Sequence, residues 1–194
     1  TIAHLLDRII YMKENKNLKE LAELAWNGEI DLQFDHHPVH TSYEGATKIN
    51  DNLLAMKGIA GFYAIDSGDG IVMIDAGSFL DIERCYEEIR RWRPDTPVKA
   101  AIFTHHHVDH VFSVSKFDQE AEEKGYPAPI VYGHNLMPDH FDRYIHTNGW
   151  NTAINRRQFA IDIDKYKWPD KYRYPDVTYE NEISFKSGNL TFNL

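Results

Sequence analysis

Residues 104 to 110 read Thr-His-His-His-Val-Asp-His and lie directly behind the apolar run Val98 to Phe103. No other stretch constrains the fold as much. A short apolar run bounded by polar residues reads as a buried strand. A strand that ends in a ligand-rich loop delivers those side chains from a rigid edge toward one point. The pattern His105-x-His107-x-Asp109-His110 sets imidazoles and a carboxylate at close spacing. Neutral imidazole and carboxylate suit zinc, iron or manganese at neutral pH. A solvated histidine turn, or a tag-like run, has no need of the Asp109-His110 pair behind a strand.

The rest of the chain alternates strands and helices, which predicts an α/β fold. Ala46 to Ile49 and Leu53 to Met56 read as short strands around an Asn-Asp-Asn turn. Gly61 to Ile65 and Ile71 to Ile74 flank Ser67-Gly68-Asp69-Gly70, a hairpin signal. Phe79 to Trp92 is amphipathic at helical spacing and is stopped by Pro94; Val111 to Lys124 reads as a helix ended by Gly125. A strand is predicted at Ile130 to Tyr132, with helical pieces near Pro138 to Ile145 and Thr152 to Phe159. The stretch from Lys165 to Tyr179 reads as an ordered loop, and Ile183 to Phe185 with Leu190 to Leu194 as a closing hairpin. Upstream, 1–45 is predicted as an N-terminal helical extension and loop, with helices over Ile2 to Trp26, and 46–194 as the main domain.

Composition narrows the function classes. A length of 194 residues suffices for one good core. The formal net charge of −9 argues against a nucleic-acid surface, which needs clustered Lys and Arg. Cys85 is the single cysteine, so neither an intrachain disulfide nor a thiolate cluster is expected. No apolar stretch approaches a membrane span. A cytoplasmic protein and the mature form of an exported one read alike here.

The heptad, together with the preceding hairpin and Ile74-Asp75-Ala76-Gly77, resembles the metallo-β-lactamase superfamily. That resemblance runs from about residue 46 to the end of the chain. It implies a four-layered αββα sandwich with metals at one edge of two sheets, and two zinc ions, with iron or manganese as alternatives. His105 and His107 would bind one metal, and Asp109 and His110 the second, Asp109 also orienting the nucleophile. His106 would point away from the metals. Asp75 would accept hydrogen bonds that hold the ligand loop in shape. His134, which follows a strand, is read as a helix cap or a pocket wall.

The segments Tyr132-Gly133-His134, Asn148-Gly149-Trp150-Asn151 and Asn155-Arg156-Arg157-Gln158-Phe159 are similar to the alkylsulfatase-like branch, as is the His37-Pro38 loop. Paired guanidinium groups suit an oxyanion such as sulfate, so Asn155, Arg156 and Arg157 are candidate contacts to an anionic small-molecule substrate. The resemblance implies a hydrolase that attacks with a metal-bound hydroxide, sulfate esters being the leading substrate class. A mononuclear iron redox enzyme resembling the persulfide dioxygenases, and a non-catalytic metal-binding subunit, are alternatives.

The chain stops at Leu194, where the family pattern continues into a Gly-rich loop with further ligands. The expectation is an N-terminal portion of the fold. A C-terminal complementary segment, a separate chain or a second copy would complete it.

Overall fold

The computed structural model describes residues 20, 23, 24, 26–29, 46–158 and 167–194. The expected loop over 31–45 lies outside the described residues, as do Phe159 and nearly all of the helical extension over 2–26. Among the described residues, no helix is long and apolar enough to cross a membrane.

Among the described residues, seven strands form one sheet in chain order: β1 (Ala46–Asn50), β2 (Leu53–Lys57), β3 (Gly61–Asp66), β4 (Ile71–Ile74), β5 (Val98–Ile102), β6 (Ile130–His134) and β7 (Val177–Tyr179). The first four pair antiparallel through short turns, and β4 to β7 pair parallel. The β3–β4 turn closes as its residues dictate: Gly68 takes φ 96°, and Ser67 donates from both its amide and its hydroxyl to Gly70 O (2.9 and 2.8 Å).

Helix α1 (Ile82–Trp92) lies between β4 and β5, α2 (Val114–Lys124) between β5 and β6, and α3 (Met137–His146) and α4 (Asn148–Gln158) between β6 and β7. Side chains from α1, α2 and α3, among them Cys85, Ile89, Phe117 and Phe141, bury one face of the sheet against Phe62, Met73 and Val98. The opposite face receives a hairpin, β8 (Ser184–Ser187) and β9 (Leu190–Asn193). Phe185 stacks on Tyr132 with ring centroids 4.1 Å apart, and Val72, Ala100 and Ile102 complete this second layer. Pairing jumps from Ile71↔Val98 to Val72↔Ala100, so Lys99 is the extra residue of a bulge. The bulge sends Val98 and Ala101 to the helix face and Ala100 and Ile102 to the hairpin face.

Local bonding shifts several boundaries from their predicted places. Helix α1 starts at Ile82 rather than Phe79, because the Asp81 carboxylate accepts hydrogen bonds from the Ser78 amide and hydroxyl (2.9 and 2.7 Å) and holds a separate turn. Helix α2 starts at Val114 because Phe112 N and Ser113 N donate to Gly77 O and Ala76 O. Strand β7 lies within the stretch read as loop.

Glu120, 3% exposed, fastens α2 to α1: it accepts from Arg90, Lys124 (2.8 Å), Tyr126 (2.8 Å) and Tyr86 (3.2 Å). Burial opposes its charge, but the bonds from Lys124, Arg90 and Tyr126 outweigh it and bring its pKa down to about 2.

Candidate metal centre

Parallel strands β4 and β5 end at the same edge of the sheet, where ligand sites of open α/β sheets form. Immediately after β4, Asp75 takes φ 57°, the only positive φ of a non-glycine among the described residues. A left-handed residue other than glycine costs about 1–2 kcal/mol, and its surroundings repay that strain. The Asp75 amide donates to Ile102 O (2.8 Å), and the next amide, Ala76 N, to His110 O (2.6 Å). The buried carboxylate accepts from Thr104 N (2.8 Å), from Thr104 Oγ1 (2.8 and 3.0 Å) and from His110 Nδ1 (2.7 Å). One side chain thus ties the start of the heptad to its end.

Because His110 Nδ1 donates to Asp75, its Nε2 is turned the other way, 3.4 Å from Asp109 Oδ2. Burial disfavours the His110 cation, but the bonds to Asp109 and Asp75 win and raise its pKa to about 9. Burial likewise pushes Asp109 up, and His110 more than reverses it, so the carboxylate titrates below its ordinary value. His105 Nδ1 sits 3.0 Å from Thr104 Oγ1, which leaves its Nε2 on the far side of the ring. Its pKa is lowered by burial and then by the neighbouring His110 and His107. The His105 ring centroid lies 4.1 Å from that of His110 and 4.6 Å from that of His107.

His106 has different company. It stacks on His140 of α3 at 3.8 Å and 11° and lies 5.7 Å from Tyr144. Burial, then His140, lowers its pKa to about 4.

By donor type, His105, His107, Asp109 and His110 fit a borderline cation. Metal ligation requires histidine to release a proton at the donor nitrogen, and the Nε2 that faces Asp109 is where His110 would release it. Among the described residues, however, no group of three or more His, Cys, Asp or Glu is drawn into a ligand cage. The fit therefore lies in the donor chemistry and the ring proximity.

Other predicted residues make contacts of their own. Asn155 donates to Asn151 O within α4 (2.9 Å), Arg156 is half-buried, and Arg157 is exposed. Helix α4 connects toward the heptad through Trp168, whose backbone amide donates to Thr152 Oγ1 (2.9 Å) and whose ring packs on Tyr144 at 5.5 Å. His134 ties β6 to its surroundings: Nδ1 accepts from Leu136 N (3.2 Å), and Nε2 lies 3.0 Å from Glu180 O. Thr104 and Tyr144 were not singled out from the sequence, and His140, a single histidine on a predicted helix, reads there as structural. The spacing of His140 and Tyr144, one helical turn apart, was the available signal.

A mixed sheet whose parallel strands end in a histidine–aspartate loop braced by a buried aspartate defines an α/β class with its site at the sheet edge. The chain belongs to the metallo-beta-lactamase superfamily, whose family model matches residues 61–185. It is 30% identical over 92 residues to an alkyl/aryl-sulfatase, BDS1, of Saccharomyces cerevisiae, a match covering 45% of this chain and 14% of that protein. A linear primary-alkylsulfatase of a Pseudomonas species is 33% identical over 73 residues, covering 38% of this chain and 14% of that protein. The resemblance to the alkylsulfatase-like branch therefore stands.

Among solved structures, the stereoselective inverting sec-alkylsulfatase Pisa1 from a Pseudomonas species aligns with a TM-score of 0.62 at 16% identity, covering 80% of this chain and 28% of that one. The metallo-beta-lactamase GOB-18 from Elizabethkingia meningoseptica aligns at 0.54 and 20% identity, covering 80% and 51%. These two likenesses show the fold. The chain spans a small part of its curated relatives' length and up to about half of these structures, as a partial αββα fold would.

Proposed function

We propose that this chain carries the metal-binding part of a hydrolase acting on small anionic esters, with alkyl sulfates the leading substrate class. The observation that carries this reading is the Asp75 carboxylate joined to both Thr104 and His110 Nδ1. An outer carboxylate of this kind fixes the ring and the tautomer of a ligating histidine. His105 and His107 would hold one cation, and Asp109 and His110 a second, zinc being the expected metal. Bound there, the metal would supply a Lewis acid and lower the pKa of water toward neutrality.

The chain's own residues do the rest. Asp75 keeps the proton of His110 on Nδ1, so that Nε2 faces Asp109. Thr104 Oγ1 bridges Asp75 and His105 Nδ1 and orients that ring in turn. Asp109, held in its charged form, orients the attacking water. Arg157, exposed at the end of α4, offers a guanidinium for the anionic head of the substrate, with Asn155 and Arg156 beside it. A C-terminal complementary segment, a partner chain or a second copy would provide the remaining site groups.

Chelation of the purified protein is expected to abolish sulfate release from a medium-chain alkyl sulfate, and zinc to restore it. Restoration by iron alone, accompanied by dioxygen uptake, would instead support the redox alternative. Arg157→Ala is expected to raise KM for a sulfate ester about tenfold or more while leaving a neutral ester nearly unchanged, since a charge-assisted hydrogen bond contributes about 1.5–3 kcal/mol. Equal effects on both esters would make Arg157 structural.

A further inference from the structure

The ends of the ligand loop are held by backbone and carboxylate bonds, its middle mainly by side chains. Phe103 N donates to Tyr132 O and Thr104 N to Asp75, while Ala76 N donates to His110 O. Between these ends, the one described backbone bond internal to the loop runs from His110 N to His107 O. His105 is tied to Thr104 Oγ1 at 3.0 Å, and His106 is held through its ring. His140 lies flat against it, with centroids 3.8 Å apart and planes 11° apart, and Tyr144 lies tilted beside it at 5.7 Å.

Both partners come from α3 at i and i+4, one above the other on the same helix face. That face is firmly backed. Tyr144 is 8% exposed and packs on Trp168 (5.5 Å) and Tyr172 (6.0 Å), while Phe141, fully buried, stacks on Tyr172 at 4.8 Å. Trp168 is fastened to α4 through Thr152. The stacked ring is therefore set against a rigid wall rather than a mobile surface side chain.

We propose that His140 and Tyr144 are positioning residues that clamp His106 and thereby fix the orientation of His105 and His107. The inference rests on the reading of His105 and His107 as metal ligands. His107 meets the His106 ring edge to face at 4.9 Å, and His105 meets His107 in turn at 4.6 Å, so a fixed His106 ring restrains both neighbours. The clamp needs an aromatic ring at 106 and at 140, not a nitrogen. That requirement separates it from a ligand role for either histidine.

The test is a zinc-competition titration of the protein against a chromophoric chelator, with thermal unfolding of the metal-free protein alongside. His140→Ala is expected to weaken zinc binding about tenfold, the loss typical of an outer partner, with the metal-free unfolding midpoint little changed. His140→Phe and His106→Phe keep a ring to stack and should retain affinity within about twofold, well short of the tenfold loss of an outer partner. An unchanged affinity in His140→Ala would overturn the clamp. So would a Phe variant at either position as weak as His140→Ala, because a nitrogen would then be required. Wild-type protein that takes up no zinc, or His107→Ala with undiminished affinity, would instead overturn the ligand reading beneath it.

Discussion

His107→Ala should strip metal from the protein and lower turnover of an alkyl sulfate by more than about a hundredfold, beyond the tenfold to hundredfold loss that an outer-shell substitution brings. The imidazole of His107 lies in the ring cluster with His105 at 4.6 Å, and alanine leaves no donor in its place. The companion substitution is Asp75→Asn. Asparagine tolerates the left-handed backbone that Asp75 adopts at φ 57°, so the turn itself is preserved. What changes is the acceptor: one oxygen of the carboxylate becomes an amide donor facing Thr104 Oγ1 or His110 Nδ1. Metal content and turnover of Asp75→Asn should therefore fall into the outer-shell range, with the fold intact. The two variants together give a graded series, read by native mass spectrometry for metal and by sulfate release for turnover. Full turnover with metal retained in His107→Ala would remove His107 from the ligand set.

How much could be read from the sequence depended on how local the cause was. The β3–β4 hairpin was legible because Ser67 to Gly70 closes on itself through its own amides and hydroxyl. The end of α2 was legible because Gly125 takes the left-handed φ of 72° that a helix terminus favours. Strand β7 was not. Val177–Tyr179 is three residues long, follows a stretch rich in Pro, Tyr and charge, and exists by pairing with β6. The bulge at Lys99 was equally hidden, since it arises from register against β4.

The same division holds at the site. The heptad is contiguous and visible as a string. The bond between His110 and Asp75 spans 35 positions and has no local signal; Asp75 was reached through the family resemblance. The contacts of His106 with His140 and Tyr144 depend on where α3 lands against the loop, which spacing along the chain does not report.

Gly188→Ala should destabilise the protein by about 3 kcal/mol, combining left-handed strain of about 1–2 kcal/mol with an overpacking cost of similar size. Gly188 has φ 52°, and a β-carbon there would lie 2.0 Å from Ser67 O, a backbone atom that no rotamer change can move. That oxygen accepts from Asn189 N (3.0 Å), and Ser67 Oγ lies 2.8 Å from Ser187 Oγ, so the turn of the β8–β9 hairpin is locked onto the β3–β4 turn. Relieving the clash means withdrawing the hairpin and uncovering Tyr132, Val72 and Ile102 beneath Phe185. At about 2–4 °C per kcal/mol for a chain of this size, the unfolding midpoint should drop by roughly 10 °C. Gly125→Ala supplies the control: φ is 72°, but nothing lies within 4 Å of the added carbon, so the strain acts alone at about 1 kcal/mol. Equal shifts for the two variants would mean that the hairpin is not docked on Ser67. A larger shift for Gly188→Ala, with an accompanying rise in binding of a hydrophobic dye, would tie stability to the second layer.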